Sequence, residues 1–177
     1  MPLIKTYEME EATGELKALY NEIFTLRGRV GNNTKLFSVS PEVLRQQLAF
    51  IKYYLNHPTL SMPLLASIRV LVSSSKDCDF CVDFNAGLLV NMMGWSIEQV
   101  QAMRHDIDKA NLQEREKALL KLVLKAIHNA HGVNANDLDA LRKIQWSDKD
   151  IFDAVNHGAK MLATDILFNT FKIEKDV

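Results

Sequence analysis

Residues 61–94 read SMPLLASIRVLVSSSKDCDFCVDFNAGLLVNMMG, and this stretch decides the fold. Ser61 stands as an N-cap, and Leu64, Leu65, Ile68, Leu71 and Val72 follow it with the 3.6-residue period of a helix. Ser73, Ser74 and Ser75 close that helix. Asp77 is a good N-cap for a second one, which runs to about Met93 with Gly94 as its stop. The chain's two cysteines, Cys78 and Cys81, fall in the first turn of this second helix as Cys-x-x-Cys.

Outward from there the chain reads as helix after helix. Leu16, Leu19, Tyr20, Ile23 and Phe24 share one face of the first, and Gly28, Gly31, Asn32 and Asn33 break it. Ser40-Pro41 opens the next, with Val43, Leu44, Leu48, Ile51 and Leu55 as its stripe, and His57-Pro58 ends it. A long helix from about Gln113 to His131 carries Leu119, Leu122, Val123, Ala126, Ile127 and Ala130, with Gly132 at its end. The last starts after Ser147 and carries Ile151, Val155, Ala159, Leu162 and Ile166. No segment alternates with period two, so the expected fold is all-α. Trp95-Ser96 and Trp146-Ser147 each precede a helical pattern, 51 positions apart (146 − 95). This echo fits a duplicated helical unit, or simply a common helix opening with a hydrophobic staple.

The length of 177 residues suits one domain, 1–177, with N-terminal helices in 1–60 and a core in 61–177. With 21 basic and 22 acidic residues and no basic block, nucleic acid is not an expected partner. The start of the chain lacks the apolar core of a signal peptide, and no apolar run reaches a membrane span. A lone Cys-x-x-Cys without an export signal points to the reducing cytoplasm, where such a pair cycles instead of stapling.

The first turn of a helix presents unpaired N–H groups that favour a thiolate. A thiolate with a second thiol one turn away is the chemistry of dithiol–disulfide exchange. Two other readings stand beside it. Both cysteines could be small core residues. Or they could share a metal with His128 and His131, although that gap far exceeds zinc-finger spacing. No Gly-rich phosphate loop appears and no organic cofactor is implied.

These features resemble the carboxymuconolactone decarboxylase superfamily, in particular its alkylhydroperoxidase D-like, peroxidase-related branch. Residues 12–20 (Ala12-Thr13-Gly14-Glu15-Leu16-Lys17-Ala18-Leu19-Tyr20) resemble its opening helix. Residues 115–120 and 146–151 resemble its C-terminal half. The resemblance implies an all-helical fold with an internally repeated unit and a homo-oligomer: dimer, trimer or hexamer. The apolar cluster Leu88, Leu89, Val90, Met92 and Met93 agrees with an oligomer, because a helix apolar all round must be covered.

The branch's redox motif is a Glu, eleven residues, Cys-x-x-Cys, three residues, then His. Cys78 and Cys81 match, whereas the Glu position falls on Ala66 and the His position on Asn85. The resemblance therefore implies a peroxidase or disulfide oxidoreductase that keeps the dithiol and lacks the proton relay at both ends. Cys81 would attack the peroxide and Cys78 would resolve the sulfenic acid to a disulfide. An external dithiol would restore the pair. In plain disulfide exchange the roles could reverse, since Cys78 is nearer the helix N-terminus.

Asn85, Ser73, Arg69 and His157 are the supporting candidates. Asn85 can donate a hydrogen bond but cannot shuttle a proton. Arg69 and Ser73 could equally lie on an ordinary solvated face. Asp77, Asp79 and Asp83, if close, would raise a thiol pKa. None of the five histidines visibly restores the relay, although one could enter the pocket in three dimensions; His157 is the first candidate, because Gly158 beside it would permit close helix packing. Two further readings remain. One is a decarboxylase-like enzyme on the same fold, using a His and an acid. The other is a helical oligomer whose redox site has decayed.

Overall fold

Local signals set most of the helix ends. The structure, a computed structural model, describes residues 2–176 and contains no strand among them. In chain order the helices are α1 Gly14–Arg27, α2 Asn32–Lys35, α3 Pro41–Leu55, α4 Met62–Ser74, α5 Asp79–Met93, α6 Ile97–His105, α7 Glu114–His128, α8 Ala135–Lys143 and α9 Asp148–Phe171. The all-α expectation holds. The short α2 and α8 were not legible as periodic stripes.

Two compact units are present. One comprises the residues up to His57 together with those from Leu167 on, and the other is Pro58–Ile166. In the first unit, Leu16, Leu19, Tyr20 and Ile23 of α1 are buried as their period predicts, whereas Phe24 is exposed. Gly28 ends α1 at φ 75°, a left-handed position that suits glycine. In α3, Leu44, Leu48 and Tyr54 are buried, while Val43 and Leu55, assigned to the same stripe from sequence, are exposed.

The second unit is organised around α4. Ser61 Oγ accepts the amide of Leu64 at 3.2 Å, and Pro63 sits in the first turn, where no intrahelical donor is lost. Beyond this cap nearly every α4 side chain is buried: Leu64, Leu65, Ala66, Ser67, Ile68, Val70, Leu71, Val72 and Ser73. Ser74 and Ser75 hydroxyls return to the carbonyls of Val70 and Val72, closing the helix. α5 and α7 pack against α4. α7 ends at His128, three residues before the expected end. Asn129 leaves the helix there, and its side chain accepts the amide of Gly132 at 3.1 Å in a 3-10 turn, Ala130–Gly132.

Both Trp-Ser pairs open helices. Ser96 forms a reciprocal cap with Gln99 at α6, and Ser147 one with Asp150 at α9. Trp95 and Trp146 are buried beside them.

Gly158 sets the position of α9. A Cβ at this residue would lie 2.7 Å from Val123 Cγ1 of α7, and 3.5 Å from both Ile127 Cγ1 and Ile68 Cγ2. Only a residue without a side chain lets the helices come this close. Val123 is β-branched and fixed at χ1 within its own helix, so it cannot turn away. Gly158→Ala is therefore expected to destabilise the protein by about 1–3 kcal/mol through overpacking, despite alanine's better helix propensity. A denaturant titration checks this, and a stabilised variant would contradict it.

Candidate active site

The turn between α4 and α5 delivers the cysteines. The Cys78 amide donates to the Ser73 carbonyl at 3.2 Å, and the Cys78 carbonyl accepts the Val82 amide at 2.9 Å. Cys78 is therefore itself the N-cap of α5. Asp77, expected from the sequence to cap the helix, instead stands one residue outside it at φ 51°. The chain reverses so tightly after α4 that this residue must adopt a left-handed backbone, which Asp tolerates better than most. Cys81 lies in the first turn of α5, as expected. The two thiols are free, with Cys78 1% and Cys81 2% exposed. Cys78 Sγ donates to Cys81 Sγ at 2.7 Å.

The third member of this cluster lies far from the Cys-x-x-Cys motif in sequence. Asp165 of α9 is 0% exposed, and its Oδ1 accepts the Ser73 hydroxyl at 2.9 Å. A carboxylate oxygen of Asp165 and both sulfurs lie within 4.8 Å of one another. Its Oδ2 has no partner at hydrogen-bond geometry. The buried face of α9 contains Ala154, Gly158, Met161 and Phe168, with Asp165 in line. A carboxylate on an apolar helical face was the available signal.

Burial pushes the Asp165 pKa above the usual carboxylate range, against the opposing pull of Cys81, Ser73 and Cys78 and the charge of Lys76. The Cys81 thiol is also pushed up, first by its bond to Cys78, then by burial, then by Asp165. The helix N-terminus was expected to favour a thiolate. Here two sulfurs in contact cannot both ionise, and desolvation beside a carboxyl outweighs the dipole. Asp77, Asp79 and Asp83 are exposed, and the acid that bears on Cys81 is Asp165.

A second group lies beside the first. Arg69 Nε donates to Asn85 Oδ1 at 2.5 Å, and its Nη1 stands 3.0 Å from His157 Nε2. A guanidinium only donates, so His157 Nε2 must be the acceptor, and the ring is neutral with its proton on Nδ1. Asn85 Nδ2 donates to the Cys81 carbonyl at 2.8 Å. Asn85 is thus committed to Arg69 and to the backbone of the cysteine helix, and acts as a brace. Ser73, Asn85 and His157 are buried and Arg69 is partly so, which removes the solvated-face reading of Arg69 and Ser73. Ala66, at the position of the relay Glu, is wholly buried and carries no proton.

His128 and His131 are exposed and do not join the cysteines. Among the described residues, the one group with metal-ligand character is Cys78, Cys81 and Asp165. Its sulfurs at 2.7 Å are closer than the roughly 3.8 Å that two thiolates on one tetrahedral zinc require. The arrangement suits sulfur–sulfur bond formation better than ligation.

No protein-family model and no curated protein matches the sequence. Solved structures do. An uncharacterized peroxidase-related protein from Ralstonia eutropha JMP134, described as an alkylhydroperoxidase AhpD core, superposes with a TM-score of 0.83 at 22% identity, over 99% of this chain and 92% of that one. A peroxidase-related protein from Silicibacter sp. TM1040 gives 0.86 at 19% identity, over the same shares. The chain has the alkylhydroperoxidase D-like fold. The debrominase Bmp8 shares it more distantly, with a TM-score of 0.77 at 15% identity, over 99% of this chain and 92% of that one.

The raised Asp165 pKa fixes the sign of a stability effect. Between the ordinary carboxyl pKa of 3.8 and its raised value, the folded protein holds a proton that the unfolded chain has released. Stability therefore falls as pH rises through that window, and stays lowered above it. Asp165→Asn keeps the shape and an acceptor for Ser73 but removes this dependence. Denaturation midpoints across acid to neutral pH are expected to show the variant gaining on the parent as pH rises. Parallel profiles would contradict the assignment.

Proposed function

We propose that the protein is a thiol-dependent oxidoreductase that reduces a peroxide or a disulfide through Cys78 and Cys81. The observation that carries this reading is the pair of free thiols at 2.7 Å, buried beside one carboxyl. Attack by Cys81 on a peroxide oxygen forms a sulfenic acid. The thiol of Cys78 then displaces water from it and closes the disulfide. An external dithiol returns two electrons to the pair. The near-complete burial of both sulfurs favours a small hydroperoxide over a protein disulfide as the oxidant. The peroxidase-related neighbours of the fold agree with this chemistry.

A homo-oligomer and a cytoplasmic setting belong to the same reading. Met92 is 76% and Phe152 69% exposed, large apolar side chains that a second copy would cover. No helix among the described residues is long and apolar enough to cross a membrane.

Treatment of the reduced protein with hydrogen peroxide or an organic hydroperoxide tests the reaction. One equivalent is expected to consume both thiols and lower the mass by about 2 Da, the loss of two hydrogens on disulfide formation. Cys81→Ser is expected to abolish peroxide turnover. Thiols of the parent that react no faster than those of its unfolded chain would overturn the reading.

A further inference from the structure

We propose that Asp165 is the proton carrier of the dithiol reaction, taking the proton of Cys81 and giving it to the leaving oxygen of the peroxide. The inference rests on the dithiol reading and deepens it. Neither Ala66 nor Asn85 can move a proton, so a chain judged by those positions alone lacks any acid or base at the sulfurs. The fold supplies one from a different helix.

Asp165 fits the role by placement. It reaches both sulfurs within 4.8 Å, so a peroxide oxygen meeting Cys81 leaves its second oxygen within reach of the same carboxyl. The Ser73 hydroxyl anchors Oδ1 at 2.9 Å, while Oδ2 has no hydrogen-bond partner and is available to the reacting groups. The surroundings are sparing in charge. From α4 come Ser73 and, one turn earlier, Arg69, which is committed to Asn85 and His157. α5 brings Cys78 and Cys81, with Asp79 and Asp83 on its exposed side. The connecting turn adds the exposed Asp77 and Lys76, whose charge favours the carboxylate. On α9 itself His157 lies two turns away, neutral by its bond from Arg69, and Lys160 lies between. Burial raises the affinity of the Asp165 carboxyl for a proton, and contact with Cys78 raises that of Cys81. The first shift moves the exchange of one proton between them toward balance and the second opposes it, so the role of Asp165 rests on its placement beside the sulfurs.

The steps balance. Transfer within the pair gives the Cys81 thiolate and the Asp165 carboxylic acid. The thiolate attacks the hydroxyl-bearing oxygen of ROOH, the O–O bond breaks, and RO⁻ takes the Asp165 proton. The products are Cys81–SOH, ROH and the Asp165 carboxylate. That carboxylate then accepts the Cys78 proton as Cys78 attacks the sulfenic sulfur, and delivers it to the departing hydroxide as water. The cysteine pair is oxidised by two electrons and the peroxide reduced by two.

Two rates measured on Asp165→Asn test the proposal, because a proton carrier moves them in opposite directions. Alkylation by iodoacetamide needs the thiolate and expels iodide, which takes no proton. Removing the neighbouring carboxylate lowers the thiol pKa, so alkylation at neutral pH is expected to rise, by up to about tenfold for each pKa unit lost. Peroxide reduction loses its acid and is expected to fall about 10²-fold or more, the usual worth of a positioned proton carrier. If both rates fall together, or neither moves, while the parent reduces peroxide, Asp165 is not the carrier and the dithiol reading stands. If the parent itself fails to reduce peroxide beyond its unfolded thiols, the dithiol reading falls and this role with it. Should Asp165→Asn not fold, Ser73→Ala replaces it. Loss of the hydroxyl raises the Asp165 pKa further, so the acid limb of the peroxide pH–rate profile, where the carboxylate that takes the Cys81 proton is lost, is expected to move to higher pH. An unmoved limb would overturn the proposal.

Discussion

The close approach of α9 to α7 at Gly158, with Ile68 of α4 in ordinary contact beside it, is the constraint on which the site depends. A helix fixed at one contact is fixed along its length, because residues at i, i+3, i+4 and i+7 share a face. With Gly158 against Val123 and Ile68, the same face presents His157 to Arg69 and, two turns on, Asp165 to Ser73 and the cysteines. A side chain at 158 would push both groups outward together. The chemistry of the cysteines is in this sense set by a residue that has none.

Burial then decides the electrostatics. A dithiol at a helix N-terminus is ordinarily an acidic one. Here the sulfurs touch each other, have almost no water, and lie beside a carboxyl that is also desolvated. Each of these disfavours a second negative charge, so Cys81 and Asp165 hold their protons more tightly than ordinary groups of their kind. Lys76 and the Ser73 hydroxyl offset part of that cost at Asp165. The Arg69–Asn85–His157 group contributes differently. It ties α4, α5 and α9 together through side-chain bonds, with Asn85 also gripping the Cys81 carbonyl. Asn85, whose position matches a His in the motif of the branch the sequence resembles, is spent on these two bonds.

The helices were legible where period and caps agreed. Ser61, Ser96 and Ser147 each cap as their positions suggested, and the stripe of α1 is buried but for Phe24. Helix ends were less legible. Asp77 has the chemistry of a cap, yet the tight reversal after Ser75 places Cys78 there instead. The α3 stripe was misassigned at Val43 and Leu55, because periodicity identifies an apolar face without saying how wide a band its neighbours cover. Arg69 and Ser73 had no sequence mark to separate them from a solvated face.

The sequence by itself determined the all-helical class and the placement of Cys78 and Cys81 one turn apart, and its resemblance to a known branch marked positions 66 and 85 as lacking that branch's Glu and His. These are local properties, fixed by residue type and by spacing within one or two helical turns. Only the tertiary structure decided that Asp165 joins the cysteines, that His157 is held neutral by Arg69, and that the thiol of Cys81 is harder to ionise than its helix position suggests. The physical reason is that packing sets which faces of distant helices meet and how much water is left between them. No spacing along the chain encodes either one directly.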